Sequence, residues 1–470
     1  MTTNVPVSIT IKIGENKREV ISLKLDTSNF GENLRNVQQK IQQQLGAEII
    51  KYLDDEYKVH EGKNYKNQGT ESRMVTTIAG TLEYRRRIYQ LPEGGRFSPI
   101  DQMLVFEPYA RRDKHLQELN CTLAARSNYR ETAQISTLIV QNNVSPSTIG
   151  RDVCRIGHQL AEYDKNFYTE KAGTIRSNVL YGESDGIFIR LQKDKEKKKF
   201  AEIRACIAYT DKKWLSGNRK HLVNKTTITA MDISSLRWQE MVRNHLYSKY
   251  DLYHVKLLAV GGDGGSWVGS TFDLCGVKSM QRVLDPFHIK KAIRSAFSDS
   301  VDLPSLYDKL FKEGFESVSD ILKPLLDKGK PSVRKIRHSC FSYLENHSDE
   351  LLPLTQRHLS FDNLQSLGCM ESNIGKTIAL RMKTRGCSWS RTGAESMAAI
   401  LCHLPELESH SFSYSAFKKI NDINIKSQRK HKSADQPQIH QASFPIVSSG
   451  KASAPYYQLF RDIINSSELL

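Results

Sequence analysis

Apolar and polar residues alternate with a period of two in the first part of the chain, and helical spacing dominates further on. The alternation predicts strands, and the helical spacing predicts a Gln-rich helix between the strand pairs. The predicted elements are strands at residues 7–13, 19–25, 73–79 and 81–90, and a helix at residues 30–57. We therefore expect a small α+β module at residues 1–110.

Residues 111–175 have helical spacing, and two of the predicted helices, at residues 128–140 and 145–161, form a helix-turn-helix pattern. Ser145 or Ser147 is a suitable N-cap for the second helix, because a proline stands beside them at a permitted first-turn position. Small polar residues followed by arginines suit entry into a DNA major groove. The candidate DNA contacts are Ser147, Thr148, Arg151 and Arg155. An amphipathic helical hairpin packed in a bundle would produce the same pattern.

Residues 176–292 alternate strands and helices, which indicates a mixed α/β sheet. The predicted elements are strands at residues 179–191, 200–209, 225–232, 255–260 and 280–284, and a helix at residues 234–249. The lysine-rich tip between the first two strands contains Lys197 and Lys198, which are either a soluble hairpin end or a phosphate contact.

The remaining chain is predicted to be mostly helical. We expect an all-helical insertion at residues 293–365, and further helices of the sheet core at residues 366–424. Residues 425–470 form a basic tail, whose composition is poor in apolar residues and typical of a flexible segment, with a short helix possible from residue 456.

The charge of the chain changes this picture. Lys and Arg number 68 against 52 Asp and Glu, which gives a net charge of +16 and favours a polyanionic partner. No apolar run is long enough to span a bilayer and the first residues lack a signal-peptide core, so we expect a cytoplasmic protein without a membrane partner. The eight scattered cysteines contain no C-x-x-C pair, which favours reduced, buried thiols over zinc binding or disulfides.

Acidic residues follow or interrupt these strands at positions that can meet. Asp185 shares strand parity with apolar residues, and an unpaired charge on such a face is costly, which points to a cation partner. Asp263 follows an apolar strand at the edge where α/β sheets bind ligands. Taken alone it would fit an ordinary Gly-Asp-Gly turn, but its pairing with Asp185 favours a functional site. Its flanking glycines would allow a metal ion or DNA to approach; they are Gly261, Gly262, Gly264 and Gly265.

A third acid is expected from the helical region. Glu371 is in helical register with Ile374, Ile378 and Met382, which predicts a place on the buried stripe of its helix, where a metal ion or an arginine would pair with it. Glu395 is the rival third acid. Three carboxylates suffice for two Mg²⁺ or Mn²⁺ ions, because these hard ions accept oxygen ligands and retain water.

Asp285 and His288 follow the last predicted strand. They either cap and flank a helix that begins at Pro286, or support the acidic site by positioning a phosphate or a strand. Basic residues elsewhere are further candidates for DNA contact, with a charged strand edge or a solvated face as the alternative. They are Arg85 and Arg87 in the second strand pair, and Arg381, Lys383 and Arg385 after the third acid.

Four segments together resemble bacterial insertion-sequence transposases of the DDE type. They are YGESDGIFIRL, LLAVGGDGGSW, VLDPFHIKK and CMESNIGKTIALRMKTRGCSWSRTGAESMA, and the resemblance extends from about residue 73 to residue 404. The most similar group is one long catalogued as an uncharacterised family and distantly similar to the Mutator-like elements. The resemblance implies a ribonuclease H-like core in which Asp185, Asp263 and Glu371 are catalytic and bind the metal ions. Residues 285–288 match a D-x-x-H motif of Mutator-like relatives.

The resemblance also implies a reaction and partners. Such proteins cut DNA at the terminal repeats of their element and join the freed 3′ hydroxyl to target DNA, acting as oligomers on double-stranded DNA, here in a bacterial nucleoid. Two alternatives remain, namely a transposase-derived DNA-binding protein without catalysis and a ribonuclease H-like nuclease that cuts without joining. The presence of all three acids argues against the first alternative and favours the transposase.

Overall fold

A computed structural model describes residues 4–13, 17–26, 30–56, 65–92, 94–104, 106–107, 109–192, 199–216, 219–361, 363–384 and 386–409. The described residues form two compact units, which are residues 4–116 with 137–143, and residues 117–136 with 144–409. The predicted basic tail, its short helix, and the candidates Lys197, Lys198 and Arg385 lie outside the described residues. No helix in the described part of the chain is long and apolar enough to cross a bilayer.

The first unit contains two small antiparallel sheets. Its elements are β1 (Asn4–Ile13), β2 (Lys17–Asp26), α1 (Phe30–Glu56), β3 (Lys66–Thr77), β4 (Gly80–Gln90), β5 (Arg96–Phe97) and α2 (Pro99–Met103). Strand β1 pairs with β2, and β4 lies between β3 and β5. One face of the second sheet packs on α1 and α2 through apolar residues such as Ile50, Val75 and Ile100. The predicted strand pairs and helix are present, although β3 begins earlier than expected.

Three helices follow, and the last two match the predicted helix-turn-helix. They are α3 (Lys114–Arg126), α4 (Tyr129–Val140) and α5 (Pro146–Asn166). Ser145 caps α5, since its hydroxyl accepts a hydrogen bond from the Thr148 backbone N–H at 3.2 Å and Pro146 occupies the first turn. The apolar stripe of α5 is buried, which leaves Arg151 exposed on the opposite side of the helix.

The second unit is built on a five-stranded mixed sheet of order β10-β7-β6-β11-β12. Its elements up to residue 284 are β6 (Val179–Arg190), β7 (Phe200–Tyr209), β8 (Asp211–Ser216), β9 (Arg219–Val223), β10 (Thr226–Met231), α6 (Ser235–Lys249), β11 (Leu257–Gly262), α7 (Ser266–Ser270), a 3₁₀ turn (Asp273–Cys275) and β12 (Met280–Leu284). Strands β10, β7 and β6 are antiparallel, whereas β11 runs parallel to both β6 and β12. The predicted mixed α/β sheet is therefore confirmed.

Strands β8 and β9 form a separate antiparallel hairpin, which was not among the predicted elements. It interrupts the chain between β7 and β10, which were expected to follow one another directly.

The rest of the second unit is helical. Its elements are α8 (Pro286–Phe297), α9 (Leu303–Glu313), α10 (Phe315–Leu322), α11 (Pro331–Asn346), α12 (Met370–Ile374), a π-helical segment (Gly375–Ala379), α13 (Leu380–Met382), α14 (Arg391–Cys402), α15 (Leu404–Glu408) and 3₁₀ turns at Lys323–Leu325, Ser348–Glu350 and Leu354–Gln356. Helices α8 to α11 share one apolar core that includes Phe297, Leu310 and Phe341. The predicted helical stretch between residues 293 and 365 thus contains helices and no strand among its described residues.

Helices cover both faces of the five-stranded sheet. One face carries Leu180, Ile228 and Leu258, which pack on Trp238 and Val242 of α6. On the opposite face, α14 lies against β10 and β7, and it packs on α5 along its other side. The odd-numbered residues of β6, including Glu183 and Asp185, point toward this opposite face because side chains alternate along a strand.

The crossing of α5 and α14 depends on a glycine. A methyl group on Gly157 would overlap the backbone carbonyl of Ser396, so no larger residue fits without separating the helices. We expect Gly157→Ala to lower the free energy of unfolding by about 1–3 kcal/mol, as overpacking does in other cores. Urea titration measures this value. Gly150→Ala on the same helix is the matched control, because its methyl group would lie 3.6 Å from Tyr129, an ordinary contact distance. Equal stability of the two variants would contradict the prediction.

Candidate functional site

Strand register brings three aspartates to the same level of the sheet. Gly261 of β11 lies opposite Glu183 of β6, so Asp263, two residues further on, comes level with Asp185. Gly262 lies opposite Leu284 of β12, which places Asp285 level with Asp263 on the other side. Neighbouring strands are about 4.8 Å apart, so the three carboxylates form a row along one edge of the sheet.

The surroundings of Asp185 are electrostatically unfavourable for a carboxylate. Burial raises the pKa of Asp185, and the charges of Asp263 and Glu371 raise it further. The Gly186 backbone N–H, which donates to the carboxylate at 2.7 Å, and the nearby His288 partly oppose this effect. The three acids that the sequence singled out therefore interact in the structure, and His288 belongs to the same group.

Asp263 and Asp285 are held by backbone contacts. The Asp263 carboxylate accepts a hydrogen bond from the Gly265 N–H at 2.8 Å, and that of Asp285 accepts one from the Phe287 N–H at 2.8 Å. Asp285 is thus the N-cap of α8, as one of the two interpretations expected. The helical insertion reaches this row as well, since the Tyr343 hydroxyl donates to the Asp263 backbone carbonyl at 2.9 Å.

Tyr343 is a site residue that sequence reasoning missed. Burial, and to a lesser extent the charge of Asp263, raises the pKa of Tyr343. The phenol therefore stays protonated and remains a hydrogen-bond donor beside Asp263. Nothing in the local sequence of α11 marks this tyrosine, because its partner is a backbone carbonyl far away in the chain.

Glu183 is the second missed residue, and it is almost completely buried at 1% exposure. One carboxylate oxygen accepts a hydrogen bond from the Tyr209 hydroxyl at 2.7 Å. The other accepts three, from the backbone N–H groups of Gly368 at 2.9 Å, Cys369 at 2.7 Å and Met370 at 3.0 Å. Burial raises the pKa of Glu183, and these donors oppose the rise. We call this arrangement the Glu183 tether, because it fastens the start of α12 to strand β6.

The Glu183 tether determines where the third acid lies. Glu371 follows Met370 directly, so it projects from the first turn of α12 close to the strand that carries Asp185. The sequence prediction that Glu371 lies on the buried stripe is wrong, because Glu371 is exposed while Ile374 and Ile378 are buried. Glu371 lies in the first turn of α12, ahead of the π-helical segment at Gly375–Ala379, and its side chain stays at the surface there.

The rival acid has a different environment. Glu395 on α14 forms an ion pair with Lys165 on α5, and it is not among the charges that act on Asp185. The charge of Glu371 acts on Asp185, whereas Glu395 is paired with Lys165.

The glycines around Asp263 have a packing role that the sequence did not reveal. A methyl group on Gly262 would overlap Val268, and one on Gly264, which has a positive φ of 84°, would lie 2.9 Å from His347. We expected these glycines to leave room for a metal ion or DNA. At these two positions the space is instead filled by close internal packing.

Several basic candidates are engaged within the protein. Arg87 forms ion pairs with Asp54 and Asp55, both at 2.7 Å. Arg381 donates to the Ala124 carbonyl and lies over the rings of Tyr129 and Trp389. Arg87 and Arg381 therefore have partners within the protein, and their assignment as DNA contacts stays a prediction.

Other basic and polar candidates stay on the surface. The exposed side chains are those of Arg85, Ser147, Arg151 and Lys383. Arg85 donates to the Thr70 hydroxyl at 3.0 Å. Thr148 is half-buried beside the Ser145 cap, and burial lowers the pKa of the half-buried Arg155. Arg151 therefore remains the most accessible charged candidate on α5.

The acids provide suitable donors for a hard divalent cation but not a closed ligand set. Carboxylate oxygens are the donors that Mg²⁺ and Mn²⁺ accept, and the mutual repulsion recorded at Asp185 is what a cation would relieve. Within the described ranges, no three His, Cys, Asp or Glu side chains lie close enough together to hold a metal ion. The chemistry of the residues fits such an ion, and their side chains would have to converge to hold it.

Removal of the Asp185 charge should stabilise the protein. The pKa of Asp185 is raised in the folded state, so its ionised form at neutral pH opposes folding and Asp185→Asn removes this cost. We expect the melting temperature to rise by about 2 °C at pH 7, and the gain to vanish at acidic pH, where Asp185 is protonated in both states. Thermal unfolding without divalent ions measures this difference. Asp308→Asn, at an exposed ion pair with Lys312, is the control, and a lower melting temperature for Asp185→Asn would contradict the prediction.

Comparisons with known proteins place the chain among uncharacterised relatives. One relative is a UPF0236 protein encoded in the vanSb 3′ region of Streptococcus gallolyticus, 23% identical over 83% of this chain and 86% of its own length. Two UPF0236 proteins of Caldanaerobacter subterraneus subsp. tengcongensis are each 22% identical, and they cover 82% and 81% of this chain and 80% and 81% of their own lengths.

A solved structure, the Drosophila P element transposase strand transfer complex, aligns with 63% of this chain and 80% of its own. The identity is 8% and the TM-score is 0.23, a value too low to support any conclusion about fold or activity. The family model of the uncharacterised protein family UPF0236 matches residues 23–406, which is most of the chain. The chain therefore belongs to the uncharacterised protein family UPF0236.

Proposed function

We propose that this protein is a DDE-type transposase that cuts DNA at the ends of its own insertion sequence and joins them to target DNA. One observation carries the proposal, namely that strand register brings Asp185 level with Asp263 while the Glu183 tether holds Glu371 beside them. Acids from three distant parts of the chain come near enough to act on one another electrostatically. An arrangement of this kind is costly for folding, so a catalytic role explains it better than a structural one.

The topology of the sheet supports the proposal. Three antiparallel strands followed by two parallel strands, with the first acid on the first strand and the second after the fourth, agree with a ribonuclease H-like core. The third acid follows a helical insertion, as the resemblance of the sequence to insertion-sequence transposases implies.

The residues have separate roles in the proposed reaction. Asp185 and Asp263 would hold two Mg²⁺ or Mn²⁺ ions, and Glu371 would complete the set from the side of α12. When bound, such ions neutralise phosphate charge and favour deprotonation of an attacking water or 3′ hydroxyl. His288 stands near Asp185 and can orient the scissile phosphate by donating a hydrogen bond to it. Tyr343 fixes the Asp263 backbone, which keeps this acid level with Asp185.

DNA binding follows from the charge and surface of the protein. The net charge of +16 favours a polyanion, and exposed Arg151 on α5 suits contact with a DNA groove. Two element ends must be held together before joining, so we propose an oligomer on DNA, acting in the bacterial cytoplasm at the nucleoid.

A strand-transfer assay tests the proposal. Purified protein is mixed with labelled duplex DNA carrying the element ends and with a plasmid target, in Mg²⁺ or in a chelator. We expect cut and joined products in Mg²⁺ alone. Cut ends without joined product would instead identify a nuclease, and DNA binding without any product would identify a DNA-binding protein that lacks catalysis.

A further inference from the structure

The β8–β9 hairpin carries an exposed aromatic residue among positive charges. Trp214 is 63% exposed and the neighbouring Leu215 is 67% exposed. Lys213, Lys220 and His221 are exposed beside them, and the Lys220 ammonium lies 4.5 Å from the centre of the Trp214 ring. The other three tryptophans of the chain are more buried, so this exposure is specific to the hairpin.

The base of the hairpin is firmly fixed to the sheet core. The Thr210 N–H donates to the Val223 carbonyl at 3.0 Å, and the Asn224 side-chain amide donates to the Thr210 hydroxyl at 3.1 Å. Tyr250 in turn donates to the Asn224 carbonyl from the protein interior. An aromatic side chain exposed on a fixed hairpin, and not on a loose loop, is presented in a defined direction.

The hairpin also stands next to the chain that leads into the third acid. The Lys212 ammonium donates to the Ser366 carbonyl, and Lys225, just after the hairpin, donates to the Asn373 side chain at 3.3 Å. Residues 366 and 373 flank the Glu183 tether and Glu371. A ligand on the hairpin would therefore lie at the edge of the acidic site.

We infer that the β8–β9 hairpin binds an unpaired DNA strand, with a base stacked on Trp214 and phosphates paired with Lys213 and Lys220. This inference rests on the proposed function, in which a cut strand end lies beside the acids. Base stacking on an exposed aromatic ring is tolerant of sequence, and adjacent lysines supply the charge complementarity that a strand backbone requires. A fully paired duplex keeps its bases stacked internally and offers no face to Trp214.

The test measures DNA binding by the full chain in a chelator, where no cutting occurs. The probes are a short labelled duplex with a single-stranded 3′ overhang and the same duplex with blunt ends. We expect Trp214→Ala to weaken binding of the overhang probe about tenfold and to leave the blunt probe unchanged. Trp214→Phe, which keeps an aromatic face, should stay within about threefold of the wild-type protein. Tyr168→Ala is the control, since Tyr168 is similarly exposed at 67% outside the hairpin.

Three outcomes would overturn the inference. In the first, Trp214→Ala binds the overhang probe as tightly as the wild-type protein does. In the second, Trp214→Ala loses the same affinity for both probes. In the third, the variant changes its oligomeric state without any change in DNA binding, which would make the hairpin a contact between two copies of this chain. Asp185→Asn distinguishes the failure of the hairpin inference from the failure of the proposed function, because it removes a proposed catalytic acid and leaves the hairpin unchanged. If this variant keeps the overhang preference while the wild-type protein never cuts DNA, the transposase proposal fails and the hairpin inference stands.

Discussion

Asp185→Asn and Asp263→Asn should each reduce metal-dependent DNA cutting on the order of a thousandfold. The expected loss corresponds to several kcal/mol of transition-state stabilisation, the contribution that a metal-holding carboxylate makes. Asparagine preserves the size of each side chain, and the carboxylate oxygens accept only single backbone hydrogen bonds at 2.7 and 2.8 Å. The measurement is the initial rate of nicking on end-containing DNA in Mg²⁺, with binding affinity determined in parallel.

The controls for this experiment come from other acids of the chain. Asp308→Asn removes an exposed charge paired with Lys312, and its nicking rate should equal that of the wild-type protein. Glu371→Gln should behave like the two aspartate variants, whereas Glu395→Gln should lose its ion pair with Lys165 and still cut DNA. Unchanged nicking in Asp185→Asn and Asp263→Asn would refute the catalytic assignment. The reverse order for the two glutamates would identify Glu395 as the third acid.

Glu183→Gln should produce the second largest effect, because it disrupts the Glu183 tether at a buried position. A glutamine offers one oxygen to four donors and turns an amide N–H₂ toward groups that also donate. We expect a loss of about 3 kcal/mol in the free energy of unfolding, together with a fall in nicking rate of about a hundredfold. Tyr209→Phe is the graded control, since it removes one donor and leaves the three backbone bonds, and should cost about 1 kcal/mol.

A double-mutant cycle separates positioning from stability. If Glu183 acts on cutting through Glu371, then Glu183→Gln should slow nicking in the wild-type background and have no further effect in the Glu371→Gln background. The loss of stability should be the same in both backgrounds. If Glu183→Gln slows nicking equally in both backgrounds, then Glu183 does not act through Glu371 and has a purely structural role. All rates are measured well below the melting temperature of the least stable variant.

Local signals in the sequence predicted much of the fold. The strand from Met280 to Leu284, the Ser145 cap and the Asp285 cap depend on neighbours within a few residues, and all three are present. The hairpin at residues 211–223 was missed although it alternates around a Gly-Asn pair, a pattern that favours a tight turn.

Long-range partners explain what the sequence did not reveal at the site. Glu183 shares strand parity with Asp185, so its direction was predictable, but its backbone donors near Met370 were not. Glu371 is exposed in the first turn of α12, and helical spacing alone does not reveal which residues of a first turn are covered by other elements. The internal contacts of Arg381 were not predictable, because nothing nearby in sequence reveals the two rings over which its guanidinium group lies.

The Glu183 tether also has a consequence for protein synthesis. Strand β6 leaves the ribosome long before Gly368, Cys369 and Met370 are made, so a nascent or prematurely terminated chain carries Glu183 without its three backbone donors. Burial of the carboxylate without these donors is unfavourable, so this part of the sheet would stay exposed to solvent. The fragment would then be vulnerable to proteases. Quality control would thereby remove incomplete chains that still contain α5. Under the proposed function, such chains would otherwise occupy the DNA ends without cutting them.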